Sequence, residues 1–294
     1  MGRTSGRSLA MLTAAMALWG TIGVFRRAIP LSSGLVAFFR GVIGALFLIL
    51  LTRAQGRRVF RGIGGRKVSL LLLSGAVMGI NWILLFEAYR FTSVSVATLC
   101  YYMEPTFLIL TSPLFLQEPL TARKGLCAAV SLLGMALVSG ILDGTPPQTG
   151  EWRGILLGLG AAVLYTTVVL LNKGTAGMDP YEKGVIQLTA AAAILLPYLL
   201  VTEDFTALSL TGEAAVMLLV IGVLHTGVAY ALYFSSMEGL QAQTIAIFSY
   251  IAPVTVLLLS ALMLSEWMST PAILGAVLIL ASAVVSELEP MKGG

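Results

Sequence analysis

The sequence predicts an all-α integral membrane protein of ten transmembrane helices, arranged as two inverted five-helix repeats. Three observations lead to this prediction: the composition, the recurrence of long apolar segments, and a match between the two halves of the chain. Of the 294 residues, 57% are hydrophobic and 11% are charged, and the mean hydropathy is +0.93. About a quarter of the residues in a soluble domain are charged, so a lipid bilayer is the expected solvent.

Apolar segments long enough to cross a bilayer follow one another along the whole chain. A helix needs about 20 consecutive apolar residues to cross the hydrocarbon core. Charged or turn-forming residues, such as those at 29–33, 53–67, 144–147 and 178–180, separate the segments. The predicted helices cover residues 9–28, 33–52, 68–88, 94–116, 121–141, 153–172, 182–201, 213–235, 241–264 and 270–287.

The basic residues predict the orientation of these helices. Ten spans place both termini on one side of the membrane. Thirteen Lys and Arg residues fall in segments on that side, against four on the other: Arg26, Arg27, Arg90 and Arg153. Positive charge concentrates on the cytoplasmic side, so we expect cytoplasmic termini in the inner (cytoplasmic) membrane. Since topology accounts for the basic residues, nucleic acid is not an expected partner.

The two halves of the chain match each other at a shift of 148 positions. Tyr102 falls on Tyr250, Pro105 on Pro253 and Glu118 on Glu266, together with several Gly, Leu and Phe matches. We therefore predict two repeats, residues 1–145 with helices one to five and residues 146–294 with helices six to ten. Five is odd, so the second repeat enters the membrane from the opposite face. Inverted pairs of this kind occur in transporters, because the halves can exchange shapes and so alternate access between the two sides.

Each half closes on a similar segment, Leu116–Thr121 (LQEPLT) and Leu264–Ser269 (LSEWMS). Together with Trp19-Gly20, Arg40, Asn81-Trp82, the segment 86–89 and the stretch 225–253, these segments resemble the EamA-type branch of the drug/metabolite transporter superfamily over essentially the whole chain. The resemblance implies a ten-helix fold around a central substrate cavity lined by helices one, three, four, six, eight and nine. Family members commonly export amino acids, drugs or other small metabolites, and some take solutes up. Glu104 is a departure, because relatives usually carry a small apolar residue before the proline.

Three ionisable residues are predicted to lie deep in the membrane: Arg40, Glu104 and His225. Such a group costs about 2.5 to 3.5 kcal/mol at mid-depth on insertion scales, so each needs a partner or a function. Arg40 can serve structurally, paired with a carboxylate or with helix-end carbonyls. Glu104 can bind a cationic group or a proton, and the alternative is an ion pair with Arg40. His225 can exchange protons near neutral pH, or it can form a neutral hydrogen bond between helices. We expect these three residues to couple transport to protons or to form an ion pair.

Polar and aromatic residues of the central helices are the candidates for binding substrate. Tyr101, Tyr102 and Tyr250 are expected too deep for an interfacial belt, and rings with hydroxyl tips suit an amphipathic or cationic solute. Each of these rings can equally serve packing alone. The full set of predicted substrate-binding residues is Trp19, Asn81, Trp82, Tyr101, Tyr102, Glu104, Tyr165, His225, Tyr230 and Tyr250.

Two repeated acids are predicted to be structural. Glu118 and Glu266 each precede a helix whose first turn has unpaired N–H groups. A carboxylate there can accept hydrogen bonds from these groups and interacts favourably with the helix dipole. Small residues at Gly75 and Gly79, and at Gly154 and Gly158, predict faces where helices approach closely.

These features predict a secondary transporter that moves a small metabolite by alternating access, with export favoured. An amino acid, a related zwitterionic or cationic solute, or a drug is the expected cargo. An uptake permease or a facilitative exchanger is the alternative. A membrane enzyme is disfavoured because the three Asp residues lie in separate loops and one His builds no metal site, and a channel because the sequence provides no continuous polar stripe. We expect no cofactor and no metal; the partners are the lipid bilayer and a small-molecule substrate, with protons as a further option, and the chain is a monomer or homodimer.

Overall fold

The computed structural model describes residues 3–56, 64–116, 120–142, 149–204, 211–237, 240 and 242–287, and over these residues it contains helices and no strands. The helices in chain order are α1 Arg3–Ala28, α2 Ser33–Ala54, α3 Gly65–Phe91, α4 Val94–Tyr101, α5 Glu104–Phe115, α6 Ala122–Val138, α7 Thr149–Lys173, α8 Pro180–Thr202, α9 Gly212–Gly222, a π-helical segment Val223–Val228, α10 Ala229–Met237, α11 Ala242–Ser249, α12 Ile251–Leu264 and α13 Thr270–Glu287.

Eight helical segments within the described residues are long and apolar enough to cross a membrane, by length and composition. They are Gly6–Ala28, Ser33–Ala54, Gly65–Phe91, Val94–Phe115, Gly150–Lys173, Pro180–Thr202, Gly212–Met237 and Ile247–Leu264, and a shorter apolar helix covers Thr270–Ser286. The prediction of an all-helical, multi-pass membrane protein is therefore confirmed. The count of ten spans and the inverted arrangement stay predictions.

Three helices predicted as continuous are interrupted in the structure. The helix predicted at 94–116 is broken between α4 and α5, and the one predicted at 241–264 is broken at Tyr250. Proline has no N–H, so Pro105 cannot donate to the carbonyl of Tyr101. At the break the N–H of Met103 bonds to the carbonyl of Cys100, three residues earlier, at 3.1 Å. The third interruption is the π-helical segment within the helix predicted at 213–235.

Glycines mark the closest approaches between helices. A Cβ atom added to Gly79 would lie 3.0 Å from the carbonyl oxygen of Ala191, so α3 and α8 meet there almost backbone to backbone. Gly134 of α6 and Gly275 of α13 likewise face each other's carbonyl groups. Larger side chains would separate these helix pairs.

The bundle is centred on α3, which packs along α7 and α8, while α1 packs along α10 and α12. The largest buried cluster joins these helices to α2 and includes Phe86, Leu48 and Leu188. Helix α6 packs chiefly on α13. Helices α4 and α5 pack on α7, and α11 and α12, which flank Tyr250, pack on α1.

Candidate functional site

Aromatic side chains from five helical elements meet in the interior of the bundle. The ring of Tyr101, the last residue of α4, lies 5.4 Å from the ring of Tyr165 in α7 and 5.9 Å from that of Tyr102, measured between centroids. Tyr102 is in turn 6.3 Å from Tyr250, so the two helix breaks are in aromatic contact. Trp19 of α1 lies 5.2 Å from Tyr230 of α10.

These rings keep some accessible surface although they lie deep in the chain. Trp19, Tyr101, Tyr102, Tyr165, Tyr230, Tyr233 and Tyr250 are all half-buried. A half-buried ring in a membrane helix faces either lipid or an interior space. Because each of these rings contacts a ring from another part of the bundle, we assign their accessible surface to an interior crevice, and we call these seven residues the aromatic crevice.

Glu104 lies at the same helix break as Tyr102. It is the first residue of α5 and is half-buried. Its backbone carbonyl accepts a hydrogen bond from Thr166 Oγ1 of α7 at 3.3 Å. The structure thus brings Glu104 into the broken region next to the crevice, where Pro105 follows it.

Arg40 is buried against aromatic faces. Its guanidinium carbon lies 4.2 Å from the centroid of the Trp82 ring and 5.7 Å from that of Phe86. Its Nε donates a hydrogen bond to Thr226 Oγ1 at 3.0 Å. Arg40 therefore joins α2 to α3 and to the π-helical segment through cation–π contact and one charge-assisted hydrogen bond. Of these partners, Trp82 is predicted from the sequence to bind substrate and not to pair with Arg40.

Asn81 and Trp82 are packed between helices. Asn81 has no exposed surface, and its Nδ2 donates to the carbonyl oxygen of Ala161 in α7 at 2.5 Å. Its Oδ1 is buried with no hydrogen-bond partner among the described residues. Trp82 is 5% exposed beneath Arg40. These two predicted substrate residues thus differ in exposure from the half-buried rings of the aromatic crevice.

His225 lies in the π-helical segment and contacts α1. Its Nε2 is 2.7 Å from Thr21 Oγ1, and its Nδ1 is 3.3 Å from the carbonyl oxygen of Val220. The carbonyl can only accept, so this contact requires a proton on Nδ1. The Thr21 hydroxyl, which also bonds to the carbonyl of Leu18 at 2.7 Å, can donate to Nε2 or accept from it. Trp19 Nε1 also donates to the carbonyl of His225 at 2.9 Å. Two hydrogen bonds thus join the π-helical segment to α1, one from Trp19 to the His225 carbonyl and one between Thr21 and the His225 ring.

A second polar cluster lies at the end of the bundle where α1 ends. Arg27 forms an ion pair with Glu266, with 3.0 Å between Nη2 and Oε1. Arg27 also donates to the carbonyl oxygens of Tyr89 at 2.8 Å and Thr92 at 2.9 Å. The Glu266 carboxylate accepts hydrogen bonds from the N–H of Val94, at 2.8 Å, and from the Ser260 hydroxyl. Arg27 is not among the site residues predicted from the sequence, because nothing local in the sequence indicates a partner so distant along the chain.

The carboxylate of Glu266 caps a helix other than the one that follows it. Val94 is the first residue of α4, so the acid satisfies the start of that helix. The first turn of α13 is instead capped by Ser269, whose Oγ accepts from the N–H of Ala272 at 3.3 Å. Thr121 caps α6 in the same way, accepting from the N–H of Lys124. Glu118, the other predicted cap, lies outside the described residues.

Two cavities lie near this cluster. One, of about 420 Å³, is lined by Arg26, Arg27, Ile29, Pro30, Leu31, Ser32, Phe86, Tyr89 and Arg90. The other, of about 360 Å³, lies between the start of α4, the ends of α6 and α12 and the start of α13, and includes Glu266. In the part of the chain that the structure describes, no group of three or more His, Cys, Asp or Glu side chains could hold a metal ion.

A multi-pass helical bundle with broken helices that meet at an interior aromatic crevice has the architecture of a membrane transporter. The sequence profile of the EamA-like transporter family matches the chain twice, at residues 6–140 and 152–287. The chain belongs to this family of transporters, and the predicted resemblance is confirmed.

Relatives agree with this assignment, and a solved structure shares the fold. The uncharacterized transporter YxxF of Bacillus subtilis (strain 168) is 29% identical over 245 residues, which cover 83% of this chain and 78% of the relative. An uncharacterized transporter of Vibrio cholerae is 22% identical over 98% of this chain and 94% of its own. A crystal structure with 20% sequence identity superimposes with a TM-score of 0.67 over 95% of this chain and 96% of its own, which shows a shared fold.

Proposed function

We propose that this transporter moves a small zwitterionic or cationic metabolite, such as an amino acid or an amine, across the cytoplasmic membrane by alternating access. The proposal includes two inverted five-helix repeats, residues 1–145 and 146–294, and export as the favoured direction. The observation that carries it is the aromatic crevice, where Tyr102 and Tyr250 from the two helix breaks are in contact. Uptake or facilitated exchange of an amine is the alternative with the same site.

Corresponding helix boundaries support the duplication. Shifting the chain by 148 positions carries α4, Val94–Tyr101, onto α11, Ala242–Ser249, and the start of α6 onto the start of α13. Contacts between helices follow the same exchange. The contact of α3 with α7 corresponds to that of α10 with α1, and α6 and α13 pack on each other. Two copies of one unit related by a pseudo-two-fold axis account for this pattern.

Contacts at the helix ends support ten crossings. Lys67 Nζ donates to the carbonyl of Ala176 at 3.0 Å, so α7 ends at the end of the bundle where α3 begins. Arg123 of α6 donates to the carbonyl of Val285 at 2.5 Å, so α13 ends where α6 begins. If α3 starts on the cytoplasmic side, α7 ends there and therefore starts on the outer side. Helix α5 ends on the cytoplasmic side, so α6 must cross the membrane to reach the start of α7. Helix α13 ends where α6 begins, so it must cross as well. The exposed apolar side chains of these two helices, which include Leu126, Leu133, Leu274 and Val277, suit contact with lipid.

The ion-pair cluster supports a gate at the outer end. With cytoplasmic termini, α1 ends on the outer side, and there Glu266 of the second repeat binds Arg27 and the N–H of Val94 of the first. This network fastens the repeats together on that side. Outward opening requires these contacts to break, and alternating access follows when they form and break in turn with contacts at the inner end.

The lining of the crevice supports the class of solute. Tyrosine and tryptophan faces attract ammonium groups, and their hydroxyl and N–H groups form hydrogen bonds with polar parts of a solute. Glu104, at the helix break, supplies a carboxylate for a cationic group or for a proton. A proton bound there in exchange for solute would couple transport to a pH gradient.

Counterflow into proteoliposomes tests the proposal. Vesicles loaded with an unlabelled amino acid or amine, from a panel of such solutes, should accumulate the labelled solute with saturable kinetics. Tyr102→Ala and Tyr250→Ala should each lower the rate at least tenfold, whereas Tyr198→Ala, at a tyrosine that is 43% exposed on α8, should retain it. Non-saturable flux would contradict a carrier, and full activity of both crevice variants would contradict the site.

Coupling to protons has its own measurement. Glu104→Gln keeps the size of the side chain but cannot release a proton. If Glu104 carries the coupling proton, counterflow should persist in this variant while the response to an imposed pH gradient disappears. An unchanged response to the gradient would remove Glu104 from that role.

A further inference from the structure

The cavity at the C-terminal end of α1 has an unusual wall. Three arginines line it, Arg26, Arg27 and Arg90, together with Ser32 and the apolar or aromatic residues Ile29, Pro30, Leu31, Phe86 and Tyr89. Among the described residues that form this wall there is no carboxylate. We call this space the arginine cavity; its volume is about 420 Å³, enough for a small organic solute.

Two of the three guanidinium groups have a carboxylate partner, and the third has only neutral ones. Arg27 pairs with Glu266 at 3.0 Å and Arg90 with Glu87 at 2.9 Å. The hydrogen bonds of Arg26 go to the carbonyl oxygen of Ile29 at 3.1 Å and to Ser33 Oγ at 3.0 Å. Ser33 Oγ in turn donates to Oε2 of Glu87 at 2.7 Å, so Arg26 reaches a carboxylate only through a hydroxyl and has no direct contact with an acid among the described residues.

Arg26 is also incompletely bonded. The residue is only 4% exposed, and its Nε–H group is buried without a hydrogen-bond partner among the described residues. Buried polar groups nearly always have a partner, so Arg26 is less completely bonded than is usual for a buried arginine. The same cavity receives the N-terminal end of α2, since Ser32 is the N-cap of that helix, and a helix N-terminus attracts anions.

The location of these arginines points the same way. On the proposed topology only four Lys or Arg residues lie on the outer side, where positive residues are depleted. Three of the four line the arginine cavity. Ion pairs with Glu87 and Glu266 account for two of them, which leaves Arg26 as the one of the three without a direct acidic partner among the described residues.

We infer that the arginine cavity binds an oxyanion, the carboxylate of a small solute with an apolar body, through Arg26 with Arg90 at its side. The apolar part of the wall that keeps accessible surface, chiefly Pro30 and Leu31, receives the body of the solute. The inference rests on the proposed transport function and deepens it, since it identifies an outer station for a carboxylate group, separate from the aromatic crevice. The phosphate of an anionic lipid has the same oxyanion chemistry, and the experiment separates the two sources.

Thermal unfolding of the full chain in phosphatidylcholine nanodiscs tests the site without a transport assay. Benzoate and benzamide serve as probes, because they share size and shape and differ in charge. Benzoate should raise the unfolding temperature in a saturable way, and benzamide should leave it unchanged. Arg90→Gln should weaken the apparent affinity for benzoate about tenfold, and Arg26→Gln should abolish the effect. Arg153→Gln is the matched control, since Arg153 lies over Phe91 outside the cavity wall.

Several results would overturn the inference. Equal stabilisation by benzamide, no stabilisation by benzoate, or equal losses in Arg90→Gln and Arg153→Gln would each do so. Should Arg26→Gln fail to fold, Arg90→Gln still decides, because Arg90 has an exposed side chain. If benzoate stabilises the protein in phosphatidylcholine nanodiscs but not in phosphatidylglycerol nanodiscs, the bound oxyanion is the lipid phosphate, and the inference of a solute carboxylate is overturned. The unfolding experiment measures only binding. A failure of counterflow therefore leaves its result standing, and a failure to bind benzoate leaves the counterflow result standing.

Discussion

At the scale of single residues, the buried Arg40 shows how a charge is accommodated inside the bundle. Its partners are the faces of Trp82 and Phe86 and the hydroxyl of Thr226, which come from α3 and the π-helical segment. A planar guanidinium can stack on a ring and donate a hydrogen bond from its edge at the same time. Arg40 therefore stabilises the packing of three elements.

Replacing Arg40 by Lys should destabilise the fold although the charge is kept. The ammonium group loses the stacked geometry and the Nε donor, and a cation–π contact together with a charged hydrogen bond is worth about 2 to 4 kcal/mol. The free energy of unfolding in mixed detergent micelles should fall by about 2 kcal/mol or more. Arg66→Lys, at an exposed position at the start of α3, should leave it unchanged. Equal unfolding free energies for Arg40→Lys and the native chain would refute this account of Arg40.

Two of the tyrosines predicted from the sequence as substrate-binding residues lie together in the structure. The repeat drew attention to Tyr102 and Tyr250 together, and the structure brings their rings within 6.3 Å. Asn81 stays a predicted substrate residue, and in the structure its Nδ2 donates to a carbonyl of α7. The sequence does not predict this bond, because spacing along the chain does not define the rotation of a helix in its bundle. That rotation depends on contacts between distant segments.

At the scale of elements, the helix breaks depend on local chemistry that the apolar pattern conceals. The apolar segments at 94–116 and 241–264 predict the positions of the spans, and the structure places helices there. The breaks follow Tyr101 and Ser249 because the prolines soon after them cannot complete a regular helix. Hydropathy averages over such features, so it predicts a span and misses its interruption.

Restoring a donor at the break between α4 and α5 should impair transport more than stability. Pro105 lies in the first turn of α5, where a missing N–H costs little, so Pro105→Ala should alter the free energy of unfolding by less than about 1 kcal/mol. It should also let the helix continue past Tyr102 and turn the crevice residues away from their partners. Counterflow should then fall at least tenfold. Pro113→Ala, further along α5, should have a smaller effect, and an equal loss of transport would show that the break itself is unimportant.

The link between Arg27 and Glu266 should control opening at the outer end. Glu266→Gln keeps an acceptor for the N–H of Val94 but loses the charge attraction to Arg27, so the outward-open population should rise. Spin labels on cysteines introduced at the exposed residues Pro30 and Trp267 should show a longer distance component in this variant. The native cysteines, Cys100 and Cys127, are buried and should give little background.

The control for this measurement is Glu213→Gln. Glu213 is an exposed acid in the first turn of α9, so its loss should leave the distance distribution between the two labels as in the native chain. An unchanged distribution in Glu266→Gln would mean that the ion pair does not hold the outer end closed.

At the scale of the whole molecule, the short helices α6 and α13 decide the topology. Both fall outside the eight segments that are long and apolar enough to span by the criteria of length and composition. Each is paired closely with the other through Gly134 and Gly275. Close pairing gives these two short helices a shared interface, and each exposes apolar side chains elsewhere, among them Leu126 and Leu133 of α6 and Leu274 and Val277 of α13.

The position of the turn after α7 distinguishes ten spans from eight. If α6 crosses the membrane, α7 runs inward and a marker inserted at Gly177 should be cytoplasmic, like tags on the first and last residues. If neither α6 nor α13 crosses, α7 is reversed and the marker at Gly177 becomes external while both tags stay cytoplasmic. If only one of them crosses, the two tags lie on opposite sides. Labelling of each marker in intact and in opened cells distinguishes the three cases. For ten spans, a marker at Glu203 should be labelled from outside. We expect the first, because Lys67 at the start of α3 bonds to Ala176 just after α7, which places those two ends on one side.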